Sequence, residues 1–486
     1  VKEEDMAEPA KKANTASVIK LMKDNDCDIL DLKFIDVPGT WQHVSLPIAE
    51  VDENLFSKGT GFDGSSVRGF QTIDESDMLL LPHAETAKVD PFMEKTVSII
   101  GDVRDPLTGG QYSRDPRHIT IKAEEYLKNS GVGDTSYWGP ELEFFVFDSV
   151  QFFQKENEAY FKVDSDEGIW NSGSKFMVDG QTPNIGQRPG YKGGYFPAAP
   201  IDTMHDMRGE MSRIMIELGI HVEKHHHEVA TAGQAEIDLR YDSMLTMADA
   251  VMRYKYVVKN VAQAWGKVAT FMPKPIFNDN GTGMHTHQSI WKDGKPLFAG
   301  NEYAGLSKLA MNYIGGLIKH GPALMGLCAP TSNSYKRLVP GFEAPTILGL
   351  SARNRSAAFR VPMYFDNPAA KRIEFRSPDP TCNPYLAFPA MLMAGLDGIE
   401  NGYEPGEPLE NDLFDLSDAE QAKLKQVPGN IEGALNALEA DHDFLLKGDV
   451  FTKDMIDTWI SHKRETEVNE VNLRPHPWEY HLTFNA

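Results

Sequence analysis

Gly139-Pro140-Glu141-Leu142-Glu143-Phe144-Phe145-Val146-Phe147-Asp148 decides how the rest of the chain is read. Its aromatic and β-branched side chains are those of a buried strand. Side chains alternate along a strand, so Glu141 and Glu143 share a face. Two neighbouring carboxylates on an otherwise apolar strand repel each other and resist burial. Two arrangements remove that cost. Either a divalent cation sits between them, or one carboxylate pairs with Arg and the other faces water. The choice turns on what other segments bring to the same place.

Three segments bring ligands. His225-His226-His227-Glu228 lies in a strand-like run, Ile220 to Val229, and Glu236 in a second, Gln234 to Tyr241, with the turn Ala230-Thr231-Ala232-Gly233 between them. On the second run Glu236, Asp238 and Arg240 share a face. Glu223 and Glu228 fall on opposite faces of a regular strand, so a bulge or the loop has to intervene if both serve one site. Asn280-Gly281-Thr282-Gly283-Met284-His285-Thr286-His287-Gln288-Ser289 is a Gly-rich turn entering a strand. Its His285, His287 and Ser289 share a face, and glycine lets backbone approach a ligand closely. His-x-His on a strand can give one or both rings to a metal, although hydrogen-bonded core histidines show the same pattern. The third segment places Arg372, Glu374 and Arg376 on one face of a strand and Ile373 and Phe375 on the other.

With Arg337, Arg353, Arg355 and Arg360 upstream, six arginines fall within forty residues of an acidic chain. Guanidinium forks suit phosphate and carboxylate; the alternative is a lattice of surface ion pairs, which contributes little to stability. Hard oxygen ligands with few imidazoles favour Mg²⁺ or Mn²⁺ over zinc. Divalent cations beside an arginine cluster are the apparatus of phosphoryl transfer. Neither a Walker A sequence nor a kinase His-Arg-Asp is present. The residues thus point to a metal-dependent enzyme acting on a nucleoside triphosphate and a small anionic second substrate.

Composition bounds the rest. The 486 residues are enough for two or three domains. With 48 basic and 71 acidic residues the net charge is −23, which argues against general binding of nucleic acid or anionic membranes. The three scattered cysteines, Cys27, Cys328 and Cys382, fit a reducing compartment. With no apolar leader at Val1 to Lys12 and no run able to span a bilayer, a cytoplasmic protein is expected.

The first hundred residues read as one helix, Asn14 to Asn25, and a small sheet. Its strands are Asp28 to Val37 and Thr40 to Leu46 around Pro38-Gly39, then Met78 to Leu81 and Thr96 to Val103. The breaker-rich Asp105 to Pro116 marks the domain boundary, and Asp115-Pro116 starts a helix ending near Gly131. Gln151 to Gly194 reads as irregular chain with short strands. Helices are expected at Met204 to Leu218, Leu306 to Leu317, Asn383 to Gly398, from Ser417, and at Ile431 to Leu446 and Asp454 to Glu465. A long one carries the stripe Met244, Met247, Val251, Tyr254, Val258, Val261 and Trp265, a core-facing pattern rather than a cofactor box. At the end Trp478, Tyr480, Leu482 and Phe484 alternate with polar residues, and such an apolar face needs a covering surface, from this chain or another subunit.

The chain resembles type I, bacterial-type glutamine synthetases over nearly its whole length. The matching runs are Phe62-Asp63-Gly64-Ser65-Ser66, Lys192-Gly193-Gly194-Tyr195-Phe196-Pro197, His226-His227-Glu228-Val229, Asn280 to His287, Asn333 to Pro345, Arg353-Asn354-Arg355-Ser356 and Arg372 to Pro378. The resemblance implies an α+β fold, with a small N-terminal β-grasp domain over 1–112 and a larger α+β catalytic domain over 113–486 built on an antiparallel sheet. It implies a dodecamer of two stacked hexameric rings, with active sites between subunits and the C-terminal segment inserted into the opposite ring. It implies ATP-dependent ligation of ammonia to the γ-carboxylate of glutamate through γ-glutamyl phosphate, with two or more divalent cations, Mg²⁺ or Mn²⁺, per subunit.

Carried over residue by residue, Glu143, Glu228 and Glu236 would hold one cation and Glu141, His285 and Glu374 the other. Arg355, Arg360 and Arg376 would neutralise the transferred phosphoryl group, and Arg376 would also face substrate. Arg337 would hold the glutamate α-carboxylate, with Asn280 and Gly281 at its amino end. Asp63 would bind and deprotonate ammonium, with Ser66 and Tyr195 nearby and Glu343 on the closing flap. Glu223, His287, Ser289, Arg355, Arg360 and Arg372 would contact ATP. Two departures stand out. Phe414 occupies the position of the tyrosine that many relatives adenylylate, so no adenylylation is expected there. Ala369 replaces a nucleotide-contacting lysine, with Lys371 close by.

Overall fold

A computed structural model of the chain describes residues 13–171, 186–339, 344–352, 354, 356–364, 367–410 and 424–486. Glu343, Arg353, Arg355, Phe414 and the helix expected from Ser417 lie outside the described residues. The chain divides into two units, Val1–His118 and Ile119–Ala486. Among the described residues no helix is long and apolar enough to cross a membrane.

The first unit is a sheet with a short helix, Thr15–Asp24, capped by Asn14. Strands run in the order 41–47, 29–35, 96–104, 77–82, 60–63. The Pro38-Gly39 hairpin is antiparallel as expected, whereas Ile29–Ile35 and Thr96–Arg104 pair in parallel. On strand 96–104 the buried Asp102 carboxylate lies 2.7 Å from His83 Nε2 and accepts from Arg117 at 2.9 Å.

The second unit is built on a ten-stranded sheet whose main path runs 222–227, 234–239, 135–147, 284–292, 373–375, 357–360, 347–351. The anchor strand, Thr135–Phe147, is central and buried. Every pair along the path is antiparallel except Ile347–Ser351 with Ala357–Arg360, a parallel edge that propensity did not signal. Behind the sheet packs the helix Met244–Ala264, whose stripe from Met244 to Val261 is buried. Trp265 departs from that stripe. It sits at the C-cap, 44% exposed, with its indole N–H on Glu210 at 2.8 Å.

Other differences have local causes. The helix expected to end at Leu317 runs on to Cys328, through Pro322, because Leu324, Met325, Leu327 and Cys328 all bury apolar surface. Ile431 to Leu446 is two helices, Ile431–Ala440 and Asp443–Leu446, broken at Asp441 and His442. The segment after Gln151 contains a real hairpin, Ser149–Gln154 with Ala159–Asp164. The tail is a short helix, Pro477–Thr483, instead of an alternating extended segment. At ~100° per residue the pairs Trp478/Leu482 and Tyr480/Phe484 fall on nearly opposite faces, and all four side chains are exposed, 57–75%.

Candidate active site

Strand register assembles the charged face. In an antiparallel ladder directly opposite residues project to the same side. Glu236 is opposite both His226 and Glu143. Asp238 is opposite Lys224 and Glu141, and Glu141 is in turn opposite His285. His287 is opposite Glu374, and Glu374 is opposite Arg360. Four strands that are far apart in sequence thus bring six acids and imidazoles of the predicted set onto one patch.

Glu141, His285 and Glu374 converge as expected, with ligand atoms within 4.8 Å of one another. His285 Nδ1 is 3.5 Å from Glu141 and 3.8 Å from Glu374. Burial, reinforced by the Arg376 charge, lowers the His285 ring to about 4, so it is neutral and able to ligate. The second cluster is Glu228 and Glu236 with His226, whose ring nitrogens stand 3.6 Å from each carboxylate. Glu143 faces Glu236 across the ladder, but its Oε2 accepts from Gly283 N–H at 2.9 Å and Gln234 Nε2 at 3.1 Å. Burial, with repulsion from Glu228, pushes Glu143 up to about 8. Glu236 is raised for the same first reason, with Asp238, Glu141, Glu143 and Glu228 adding repulsion. Such mutually destabilised oxygens with a neutral imidazole fit divalent cations. Asp238, in reach of Glu141 and Glu236, has a buried Oδ1 without a hydrogen-bond partner.

The arginines divide in use. Glu374 is fully buried and clasped by Arg360 and Arg376. Burial alone would raise its carboxyl; Arg376 and the neighbouring histidines bring it below the usual range. Arg360 also donates to the Tyr364 hydroxyl at 2.9 Å and lies 5.5 Å from that ring's centre. Arg372 Nε donates to His287 Nδ1 at 3.2 Å, and His287 Nε2 is 2.9 Å from Glu141, so His287 bridges Arg372 and Glu141. Arg337 spends three donors on the carbonyls of Arg376, Ser377 and Pro378, at 2.8–3.2 Å. Gly281 and Gly283 lie against it, so a Cβ at either would collide with its side chain.

The remaining predicted residues fall in both units. Glu223 is exposed in a bulge, the register shifting between Val222 and Lys224, which resolves the parity conflict with Glu228. Ser289 pairs with Tyr137 across the ladder, its Oγ accepting from the Trp291 indole at 3.1 Å. Gly281 O accepts from Gln234 at 3.0 Å, and Asn280 N–H bonds Asp279 at 2.9 Å. Tyr195 stacks on Phe196 at 4.1 Å and meets His226 edge-on at 5.6 Å. Asp63 and Ser66 belong to the first unit. There the Asp63 carboxylate is exposed and held below its usual range by the Ser65 and Ser66 hydroxyls, at 2.6 and 2.8 Å. Lys371 Nζ donates to Ala304 O at 3.0 Å. Sequence reasoning noted His226 in the histidine run and Asp238 on the Glu236 face but gave neither a role, and it did not single out Gln234 or Tyr364, whose contacts no motif reveals.

The family description "Glutamine synthetase, catalytic domain" matches residues 113–483, and "Glutamine synthetase, beta-Grasp domain" matches 26–106. The chain belongs to the glutamine synthetase family. A glutamine synthetase of a Nostoc species is 54% identical over 470 residues, 96% of this chain and 99% of that one. That of Aquifex aeolicus is 55% identical over 466 residues, covering 96% and 97%. Among solved structures, the cryo-EM glutamine synthetase of Plasmodium falciparum superposes with a TM-score of 0.89 at 31% identity, covering 98% of this chain and 100% of that one. The glutamine synthetase family thus accounts for both the small sheet domain and the larger sheet that carries the acidic patch.

Proposed function

We propose that this chain is a glutamine synthetase that joins ammonia to the γ-carboxylate of L-glutamate, converting ATP to ADP and phosphate. The observation that carries the reading is the pair of acid–imidazole clusters beside Arg360 and Arg376, in a chain of this family. A γ-carboxylate oxygen attacks the terminal phosphorus and ADP leaves. Bound ammonium gives one proton to Asp63, the resulting ammonia attacks the acyl carbon of γ-glutamyl phosphate, and phosphate leaves carrying the second proton shed by the nitrogen.

Divalent cations, Mg²⁺ or Mn²⁺ and at least two per subunit, would neutralise the phosphate oxygens. Glu143, Glu228 and Glu236 would hold one, and Glu141, His285 and Glu374 the other. Arg355, Arg360 and Arg376 stabilise charge on the transferred group. Arg337 offers its remaining donors to the glutamate α-carboxylate, with Asn280 and Gly281 at the amino end. Glu223, His287, Ser289 and Arg372 face the nucleotide. Asp63 and Ser66, arriving from a neighbouring subunit, complete the ammonium site with Tyr195, and Glu343 closes over the acyl phosphate to exclude water.

The assembly we propose is a dodecamer of two six-membered rings, and the exposed tail helix supports a covering subunit. We place the domain boundary between 112 and 113, a reading supported by the catalytic-domain match from residue 113 although the two packed units divide at His118, and the free, buried cysteines support a cytoplasmic location. Phosphate release from ATP, measured with glutamate and with ammonium or a panel of organic amines, tests the reading. Stimulation by ammonium with glutamine as product is expected; stimulation only by a larger amine would refute it.

A further inference from the structure

His227 sits between His226 and Glu228, but its ring points to the other side of the strand end. There it is 1% exposed. Both ring nitrogens face acceptors. Nδ1 lies 2.7 Å from Glu228 O and 2.8 Å from Gly194 O. Nε2 lies 2.9 Å from Glu167 Oε2. Glu167 is itself buried, and its other oxygen takes the Thr203 N–H at 3.3 Å and the Thr203 hydroxyl.

The loop that carries Tyr195 is docked on this ring. Gly194 N–H donates to Val229 O at 3.2 Å, and Phe196 N–H to His227 O at 3.5 Å. A Cβ at Gly194 would stand 2.2 Å from Glu228 O and 2.7 Å from the His227 ring, so only glycine fits. Phe196 has φ +60°, a conformation that a bulky residue keeps only where its surroundings over-determine it. Its ring lies 4.5 Å from His226 and 4.1 Å from Tyr195.

We propose that His227, braced by Glu167, is a positioning residue that sets Glu228 and the Tyr195 loop relative to each other. One imidazole holds the backbone of a ligand on one side and the backbone of the ammonium-side wall on the other. The inference rests on the reading of Glu228 as a metal ligand and Tyr195 as part of the ammonium site. Buried partners of metal ligands typically govern about 10–100-fold in metal affinity.

The test separates the two ends of the ring. His227→Asn keeps an N–H near Nδ1 and loses Glu167; His227→Gln reaches Glu167 and loses the carbonyls. Mn²⁺ titration by electron paramagnetic resonance and the KM for ammonium are the readouts, with the KM for ATP as the control. His227→Gln is expected to weaken Mn²⁺ binding about 10–100-fold and raise the ammonium KM, leaving the ATP KM in place, with His227→Asn closer to wild type. Variants that melt earlier yet bind Mn²⁺ and ammonium as wild type does would overturn the inference. If neither His227 variant folds, Gly194→Ala, whose Cβ would stand 2.7 Å from the His227 ring and 2.2 Å from Glu228 O, should shift the same two constants, and unchanged constants would again overturn it. Glu228→Gln tells the two readings apart. If it too leaves Mn²⁺ binding intact, the ligand assignment has failed. If it abolishes one site while His227→Gln does not disturb it, the positioning role alone has failed.

Discussion

Gly283 touches three groups of the proposed site at once, which makes Gly283→Ala a demanding test. Its N–H donates to Glu143 at 2.9 Å and its carbonyl accepts from Glu143 N–H at 3.1 Å. A Cβ there would lie 2.6 Å from Arg337 Nη2 and 3.0 Å from His285 Nε2. Ordinary contact needs ~3.5 Å, so one or both side chains must give by about 0.5–1 Å. Arg337 cannot give cheaply, because three carbonyls hold it. His285 is confined among Glu141, Glu374 and buried sheet. Overpacking of this kind costs about 1–3 kcal/mol, and a misplacement near 1 Å in a catalytic constellation costs about a hundredfold in rate. The expected result is a fall of that order in kcat/KM for glutamate, weaker Mn²⁺ binding and a lower melting temperature. Gly429→Ala serves as the control, since a Cβ there meets nothing. If Gly283→Ala were indistinguishable from Gly429→Ala in all three, the packing of Arg337 and His285 around this residue would not matter to the reaction.

Three further outcomes are expected. Tyr364→Phe removes the hydroxyl that Arg360 donates to, and kcat should fall about tenfold with KM values little changed; unchanged kcat would show that Arg360 holds its place without it. Burial opposes charge on His83, yet bonds to Asp102 and Glu85 hold its ring up at about 9 against an ordinary 6.5. Its contribution to the first unit is therefore full below pH 6.5 and lost as pH rises through about 9. Hydrogen exchange in strand 96–104 should accelerate over that window in wild type beyond any change in His83→Gln, and parallel profiles would count against it. Because Lys371 is committed to Ala304, Ala369→Lys should lower the KM for ATP; no change would mean that the contact is unimportant here.

The strands of the acidic patch were legible because charged or imidazole side chains recur with period two in each of them. Glu141/Glu143, Glu236/Asp238, His285/His287 and Arg372/Glu374/Arg376 all announce a face. What spacing could not give was register. That His226 opposes Glu236, and so stands in the cluster where Glu143 was expected, follows from a ladder between strands, not from either strand alone. The bulge at Glu223 was foreseen only as a need. Likewise His227 and Gln234 meet side chains 60 and 91 residues away, contacts formed only once the chain has folded. The tail misled because alternation marks a face on a strand but splits into two faces on a helix.

The ladder that opposes Glu236 to Glu143, Asp238 to Glu141 and Glu141 to His285 also works as a checksum on folding. A slip of one residue between Gln234–Leu239 and Thr135–Phe147 would turn Glu236 and Asp238 into the apolar layer and Ile237 toward water. Such a sheet would forfeit core packing and cation binding together, so no near-miss register retains half of the activity. The cation, by binding only the correct pairing, rewards it again through mass action. Newly made chains should therefore sort into the correct sheet more completely when divalent cations are present during folding than when they are added afterwards.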